Sequence, residues 1–331
     1  MQNCNNNLLE VDNLRTYFPI KQGLLRRTVG CVKAVDGVSF TIRAGQTFGL
    51  VGESGCGKTT VAKGVIRLTP ITSGRVVFDR KDVLSANSNQ LRQIRRHIGF
   101  VFQDPQSSLN PRMTVADIVG EPLKVHRGAA GKILSGCSND RERVATILQQ
   151  VGLSREHTSR YPHEFSTGQR QRIAIARALV LNPKLVICDE PVSALDVSIQ
   201  SQILNLLKDL QEESHLSYLF ITHDLAIMEF FCDIVAVMHT GRIVEQAQAR
   251  ELLQNPLHPY TQLLIQSLPQ LKPTPSIHRP APGGEPPSAL NIPAGCRFHP
   301  RCPLARDDCQ RHTPPLEEKS NEHFAACWAG M

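Results

Sequence analysis

From about Leu8 to Gln254, short apolar runs alternate with helical patterns, the mark of an α/β domain with a largely parallel sheet. The run Thr47-Phe48-Gly49-Leu50-Val51 predicts a buried strand, and so do Ile98–Phe102, Leu185–Cys188 and Tyr218–Ile221. Ile199, Ile203, Leu206, Leu207 and Leu210 recur at helical spacing and predict one amphipathic helix. Between about Asp104 and Leu181 the strand-like runs give out, and the segment reads as mostly helical. Eight prolines in 25 residues from Pro269 to Pro293 are too many for a regular core element and predict an extended connector.

A length of 331 residues suggests two domains, or one large domain with an extension. The composition, 41% hydrophobic and 20% charged, excludes a disordered, collagen-like or disulfide-scaffold chain. No stretch approaches the roughly 18 consecutive apolar residues of a membrane span. The polar start from Met1 to Asn7 lacks the apolar core of a secretory signal. Both features predict a cytoplasmic chain that forms no membrane pore itself. The net charge of +7 includes no dense basic block; Arg92, Arg95 and Arg96 with His97 read as a solvated helix face. Of ten cysteines, six are scattered singly, whereas Cys296, Cys302, Cys309 and Cys327 crowd the C-terminus. That clustering requires its own explanation.

The strongest chemical signal is Gly52-Glu53-Ser54-Gly55-Cys56-Gly57-Lys58-Thr59, a full G-x-x-x-x-G-K-[ST] phosphate loop. It follows a predicted strand and runs into a helical pattern from Thr60 to Leu68, the context such a loop requires. Its glycines let the backbone curl so that N–H groups face phosphate oxygens at the positive end of a helix. Lys58 would reach the β- and γ-phosphates, and Thr59 would place its hydroxyl on Mg²⁺. A second strand ends in Asp189 and Glu190. Asp189 is placed to hold Mg²⁺, directly or through water, and Glu190 to orient or deprotonate an attacking water.

Between these lies Phe165-Ser166-Thr167-Gly168-Gln169, ahead of an apolar helix from Ile173 to Leu181. Ser166 with Gln169 fits a capping box, the arrangement of any well-capped helix. The same N-terminus could present N–H groups and a hydroxyl to a γ-phosphate. The residues alone do not choose.

In their order along the chain, the phosphate loop, the S-x-G-Q segment and the Asp189-Glu190 strand end resemble an ABC-type ATPase domain. Gln103 after a strand, Ser193-Ala194-Leu195-Asp196, and His223 after Tyr218–Ile221 extend that resemblance. It implies a P-loop NTPase fold over residues 8–254, with an inserted helical subdomain over about 104–181. It also implies ATP and Mg²⁺ as ligands, and a head-to-tail pair of ATPase domains with each ATP between them. Carried over, Gly52 to Thr59 and Thr60 would bind ATP, and Phe18, with Tyr17 as alternative, would stack on adenine. Thr59, Gln103 and Asp189 would serve Mg²⁺, with Gln103 also facing membrane subunits. Glu190 would be the catalytic base and His223 the γ-phosphate switch. Ser166, Thr167, Gly168 and Gln169 would complete the partner's site, and Asp196 would lie on the cross-dimer loop. The usual Leu-Ser-Gly-Gly-Gln signature has glycine where Thr167 stands; its β-branched side chain predicts a weaker site on the partner.

The stretch Asn255-Pro256-Leu257-His258-Pro259-Tyr260, the proline connector and the four-cysteine tail together make a C-terminal extension over residues 255–331. This extension, with Asp104–Arg112, is similar to the ATP-binding subunits of dipeptide/oligopeptide ABC importers, most of all the F-type subunit of the dipeptide system. The resemblance implies a translocase ATPase peripheral to the cytoplasmic face of the inner membrane. Its partners would be a second ATPase subunit of a different chain, two permease subunits and a substrate-binding protein, and no nucleic acid. Import of nickel or a metal chelate is the alternative cargo, and a soluble non-transport ABC ATPase the more distant one. The spacing C-x₅-C-x₆-C-x₁₇-C matches neither most zinc sites nor a standard ferredoxin run. A [4Fe–4S] cluster, which some members of the group carry, is the leading reading of the four thiols, ahead of zinc or free cysteines. His299, His312 and His323 read as surface residues.

Overall fold

The computed structural model describes residues 6–23, 27–130, 140–267 and 292–329. It forms two compact units: a helical unit of Met1–Leu8, Ile42–Gln46 and Phe78–Ile221, and a phosphate-loop unit of Leu9–Thr41, Thr47–Val77 and Thr222–Met331. All but the last two residues of the expected connector, Pro269–Pro293, lie outside the described residues.

In chain order the described strands begin with β1 (Asn7–Gln22), β2 (Arg27–Arg43), β3 (Thr47–Val51) and β4 (Ser73–Phe78). They continue with β5 (Lys81–Asp82), β6 (Ile98–Val101), β7 (Leu185–Asp189) and β8 (Ser217–Thr222). The last four are β9 (Ile234–His239), β10 (Arg242–Gln248), β11 (Glu317–Ser320) and β12 (His323–Ala325).

In the phosphate-loop unit, β2, β1 and β4 lie side by side, and a second row runs β11-β12-β10-β9-β3. β3 pairs parallel with β9, setting Phe48 against Ile234 and Val51 against Val237. β9, β10 and β12 are antiparallel neighbours, with Glu245 opposite Ala325. All five residues of β3 are buried, as expected of a strand covered on both faces. Phe40 of β2 stacks on Phe48 with ring centroids 4.7 Å apart. The C-terminal residues add β12 and β11 to the row of β10, β9 and β3, so the extension is joined to this unit by main-chain pairing.

In the helical unit, β6, β7 and β8 are parallel, with Ile98 beside Leu185 and Leu185 beside Ser217. The expected helical stretch carries helices Pro105–Ser108, Val115–Ala130, Asp140–Gln150 and Thr167–Leu179, and no strand among the described residues. Thr167–Leu179 buries Ile173, Ala174, Ile175, Ala176 and Leu179, the apolar run read from the sequence. The helix predicted from Ile199 to Leu210 spans Val197–Ser214 and buries Ile203, Leu204, Leu207 and Leu210. The basic cluster departs from expectation. Arg92 is exposed, but Arg96, just beyond the helix Ser88–Arg95, is only 6% exposed. Arg96 caps the helix with its backbone still helical (φ −59°, ψ −31°), and its side chain is buried rather than solvated.

Candidate functional site

The phosphate loop connects buried β3 to the helix Lys58–Val65, whose Val61, Ala62 and Val65 face the core. That burial anchors the helix, and the loop must reverse tightly to reach it. A Cβ at Gly52 or Gly57 would stand 2.1 Å from the carbonyl oxygen of Met238 or Ala34, and Gly57 has φ +108°, so no larger residue fits either place. Lys58 is 4% exposed, and its Nζ donates to the carbonyls of Gly52 (2.7 Å) and Glu53 (3.0 Å). The Cys56 N–H closes a turn on the Glu53 carbonyl at 3.3 Å. Burial raises the Cys56 thiol pKa, so this cysteine is a packed neutral residue.

Glu53 is held from the C-terminal region. Its N–H donates to the Tyr260 hydroxyl at 2.9 Å. Arg301 donates to both carboxylate oxygens, at 3.0 and 3.1 Å. Tyr260 is fully buried, with the rings of His239 and Phe298 centred 4.3 and 5.4 Å from its own, and His258 packs on Phe298 in turn. Burial brings the pKa of His239 down to about 4 and that of His258 to about 3. The Tyr260 N–H donates to His258 Nδ1 at 3.0 Å, which requires that nitrogen to be unprotonated. Nothing in the sequence pairs Tyr260 or Arg301 with Glu53, because the partners lie more than 200 residues away.

Phe18 is 37% exposed, and Tyr17 beside it is tied by its hydroxyl to Asp36. Asp36 also receives Arg242 at 3.0 Å and the buried guanidinium of Arg297. Burial alone would raise the Asp36 pKa, but the Tyr17 hydroxyl and the two arginines outweigh it and hold it at about 2. Main-chain bonds carry this network to the loop: Asp36 N–H donates to Gly241 O and Gly241 N–H to Cys56 O, both at 2.8 Å.

In the helical unit, Asp189 ends β7 at 2% exposure. Glu190 follows with φ +48°, a left-handed conformation costing a non-glycine residue about 1 kcal/mol. Its N–H to Ile221 O (2.9 Å) and the Ser193 hydroxyl on its carbonyl (3.1 Å) hold that turn. Gln103 Nε2 donates to Glu190 Oε2 at 2.9 Å, so the structure brings these two expected residues together.

Ser166 caps the helix Thr167–Leu179, with Gln169 N–H on its Oγ at 3.3 Å and its own N–H on Gln169 Oε1 at 3.0 Å. The capping-box reading therefore describes this chain. Thr167 is the first helical residue and Gly168 the second. Asp196 is exposed at the N-terminus of Val197–Ser214, making no capping bond, with Val197 beside it 78% exposed. His223 is exposed in the phosphate-loop unit, one residue before Asp224 caps Leu225–Phe231.

Cys296, Cys302, Cys309 and Cys327 line one small cavity, with Phe298, His299 and Trp328. Burial raises the thiol pKa of Cys296, and that of Cys302 to about 11. Among the described residues, no three His, Cys, Asp or Glu side chains are set to hold a metal ion. Of the histidines expected at the surface, His312 is exposed but His323 is 1% exposed. His323 is buried because its Nε2 lies 2.7 Å from Glu245 Oε1, and the same buried carboxylate accepts the N–H groups of Leu257 (2.7 Å) and His258 (2.9 Å).

The family described as "ABC transporter" matches residues 35–193, and the one described as "Oligopeptide/dipeptide transporter, C-terminal region" matches 244–309. The chain is 48% identical to the oligopeptide transport ATP-binding protein AppF of Bacillus subtilis, covering 97% of this chain and 96% of that protein. It is 46% identical to the oligopeptide transport ATP-binding protein OppF of Salmonella typhimurium, covering 97% and 95%. Among solved structures, the ATP-binding cassette MJ0796, a dimer in a post-hydrolysis state bound to ADP and Pi, superposes with a TM-score of 0.63. That match has 29% identity over 73% of this chain and 99% of the other.

Proposed function

The chain belongs to the ATP-binding subunits of ABC transporters, and from that premise we propose that it hydrolyses ATP to power import of oligopeptides. The observation that carries the reading is one chain holding both an intact phosphate loop and a C-terminal region of the oligopeptide/dipeptide family. The names of the relatives, oligopeptide transport ATP-binding proteins, support the cargo.

The loop's N–H groups and Lys58 bind the β- and γ-phosphates, with Thr60 in the first turn of the helix behind them. Thr59, Gln103 and Asp189 offer hydroxyl, amide and carboxylate oxygens, the donor set that suits Mg²⁺. When bound, Mg²⁺ neutralises charge that develops on the transferring phosphoryl group. Glu190 takes the proton of the attacking water, and its bond from Gln103 orients the carboxylate for that task. His223 contacts the γ-phosphate. Phe18 covers the adenine, since its ring is exposed while the Tyr17 hydroxyl is engaged by Asp36. Ser166, Thr167, Gly168 and Gln169 present their helix N-terminus to the loop of a second ATPase subunit, with Asp196 on the facing loop.

That second subunit, two permeases and a substrate-binding protein complete the importer, on whose cytoplasmic face this chain sits peripherally. Among the described residues, no helix is long and apolar enough to cross a membrane. The four C-terminal cysteines are a proposed [4Fe–4S] site, with zinc second. That all four line one small cavity is the observation that supports this part. About four irons and four sulfides per chain after anaerobic purification, lost on Cys302→Ser, are expected; metal-free protein would remove this part. For hydrolysis, Glu190→Gln is expected to bind ATP normally and lose turnover at least about 100-fold. Wild-type turnover in that variant would overturn the assignment.

A further inference from the structure

Glu53, the second residue of the phosphate loop, is gripped at all three of its polar groups. Its carbonyl receives Lys58 Nζ (3.0 Å), its N–H donates to Tyr260 Oη (2.9 Å), and its carboxylate takes a bidentate fork from Arg301 (3.0 and 3.1 Å). The first of these lies within the loop; the other two come from the C-terminal region.

Neither outside partner is a loose surface contact. The Arg301 side chain is 9% exposed, with its guanidinium carbon 5.8 Å from the centre of the Phe298 ring. Tyr260 is fully buried, and its helix Pro259–Gln266 is capped by the buried His258. His258 is fixed in turn by its N–H on Glu245, the carboxylate that also holds His323. A bidentate arginine–carboxylate pair fixes direction as well as distance.

We propose that Arg301 and Tyr260 are positioning residues for nucleotide binding, setting ATP affinity by holding the phosphate loop at Glu53. The proposal rests on residues 52–59 being the ATP site. Because the Glu53 N–H is committed to Tyr260, the phosphate is left to the N–H groups further along the loop, and their aim depends on where Glu53 is pinned. Arg301 immediately precedes Cys302 and follows Cys296 by five residues, so the segment that pins the loop also bears two of the four clustered cysteines.

The test measures Mg-ATP affinity of the purified full-length chain, and KM against kcat in the assembled transporter. Arg301→Gln is expected to weaken Mg-ATP binding and raise KM about tenfold, with kcat within about twofold. Arg301→Lys, which keeps charge but loses the fork, is expected to recover part of that loss. Tyr260→Phe, which removes one oxygen and keeps the ring, is expected to weaken binding about threefold and serves should Arg301→Gln not fold. Lys58→Ala is the control. If it abolishes binding while both Arg301→Lys and Tyr260→Phe bind Mg-ATP like wild type, the positioning role is overturned, whatever their melting temperatures. If Lys58→Ala itself binds normally, the ATP-site reading fails first.

Discussion

The signature helix and the phosphate loop hold their polar groups in opposite ways. At the helix N-terminus, Ser166 and Gln169 satisfy each other across three residues, and that part of the motif needs no distant partner. The phosphate loop is shaped by the carbonyls of Ala34 and Met238, by Gly241, and by Tyr260 and Arg301. A locally capped helix end can be presented to another subunit as a finished unit. A loop braced by remote segments responds to anything that shifts them.

The largest expected effect comes from the loop itself. Lys58→Ala should abolish measurable Mg-ATP binding and lower hydrolysis at least about 100-fold, as read by equilibrium binding and phosphate release. Retained binding would break the comparison at its root, since the bracing would then surround an unused loop.

Acidification should loosen the bracing before the signature helix. His239 and His258 take up protons near pH 6.5 when unfolded but only near 4 and 3 when folded. Between those limits the unfolded state binds more protons, so stability falls as pH drops below about 6.5, by several kcal/mol in all. Asp36 acts lower: folded it stays charged down to about pH 2, so its contribution is lost only as pH falls from about 4 through 2. Hydrogen exchange at pH 5 should show residues 52–66 losing protection ahead of 167–179. Equal loss in both segments would contradict the contrast.

Asp36→Asn should cost about 3 kcal/mol in denaturant unfolding, because it leaves the buried Arg297 guanidinium without its carboxylate. An unchanged midpoint would mean that the Asp36 network does not support the loop.

The smallest effect belongs to the signature. Ser166→Ala removes a cap and should cost about 1 kcal/mol, while the chain's own Mg-ATP affinity stays the same. Thr167→Gly should raise turnover of the assembled importer modestly, through the partner's site. A shift in this chain's own affinity with either change would show that the segment is not locally self-contained.

What the sequence revealed follows the same division. The buried runs of β3, β7 and β8, the glycine spacing of the loop and the Ser166–Gln169 box are short-range patterns, and all were readable. The pairs Arg301–Glu53, Asp36–Arg297 and Glu245–His323 were not, because each joins segments at least 78 residues apart with no periodicity to announce it. His323 shows the consequence. Read alone it is a polar residue in a polar tail, yet three-residue β12 carries it onto the sheet, where Glu245 holds it buried. Strands as short as β11 and β12 have too few residues to display alternation.

The most direct test of the central claim is ATP hydrolysis in proteoliposomes holding this chain, its neighbouring ATPase and permeases, with the binding protein added. The account predicts that peptide-loaded binding protein stimulates hydrolysis and drives peptide uptake. Hydrolysis that ignores peptide and answers instead to a nickel chelate, or that needs no permease, would contradict it.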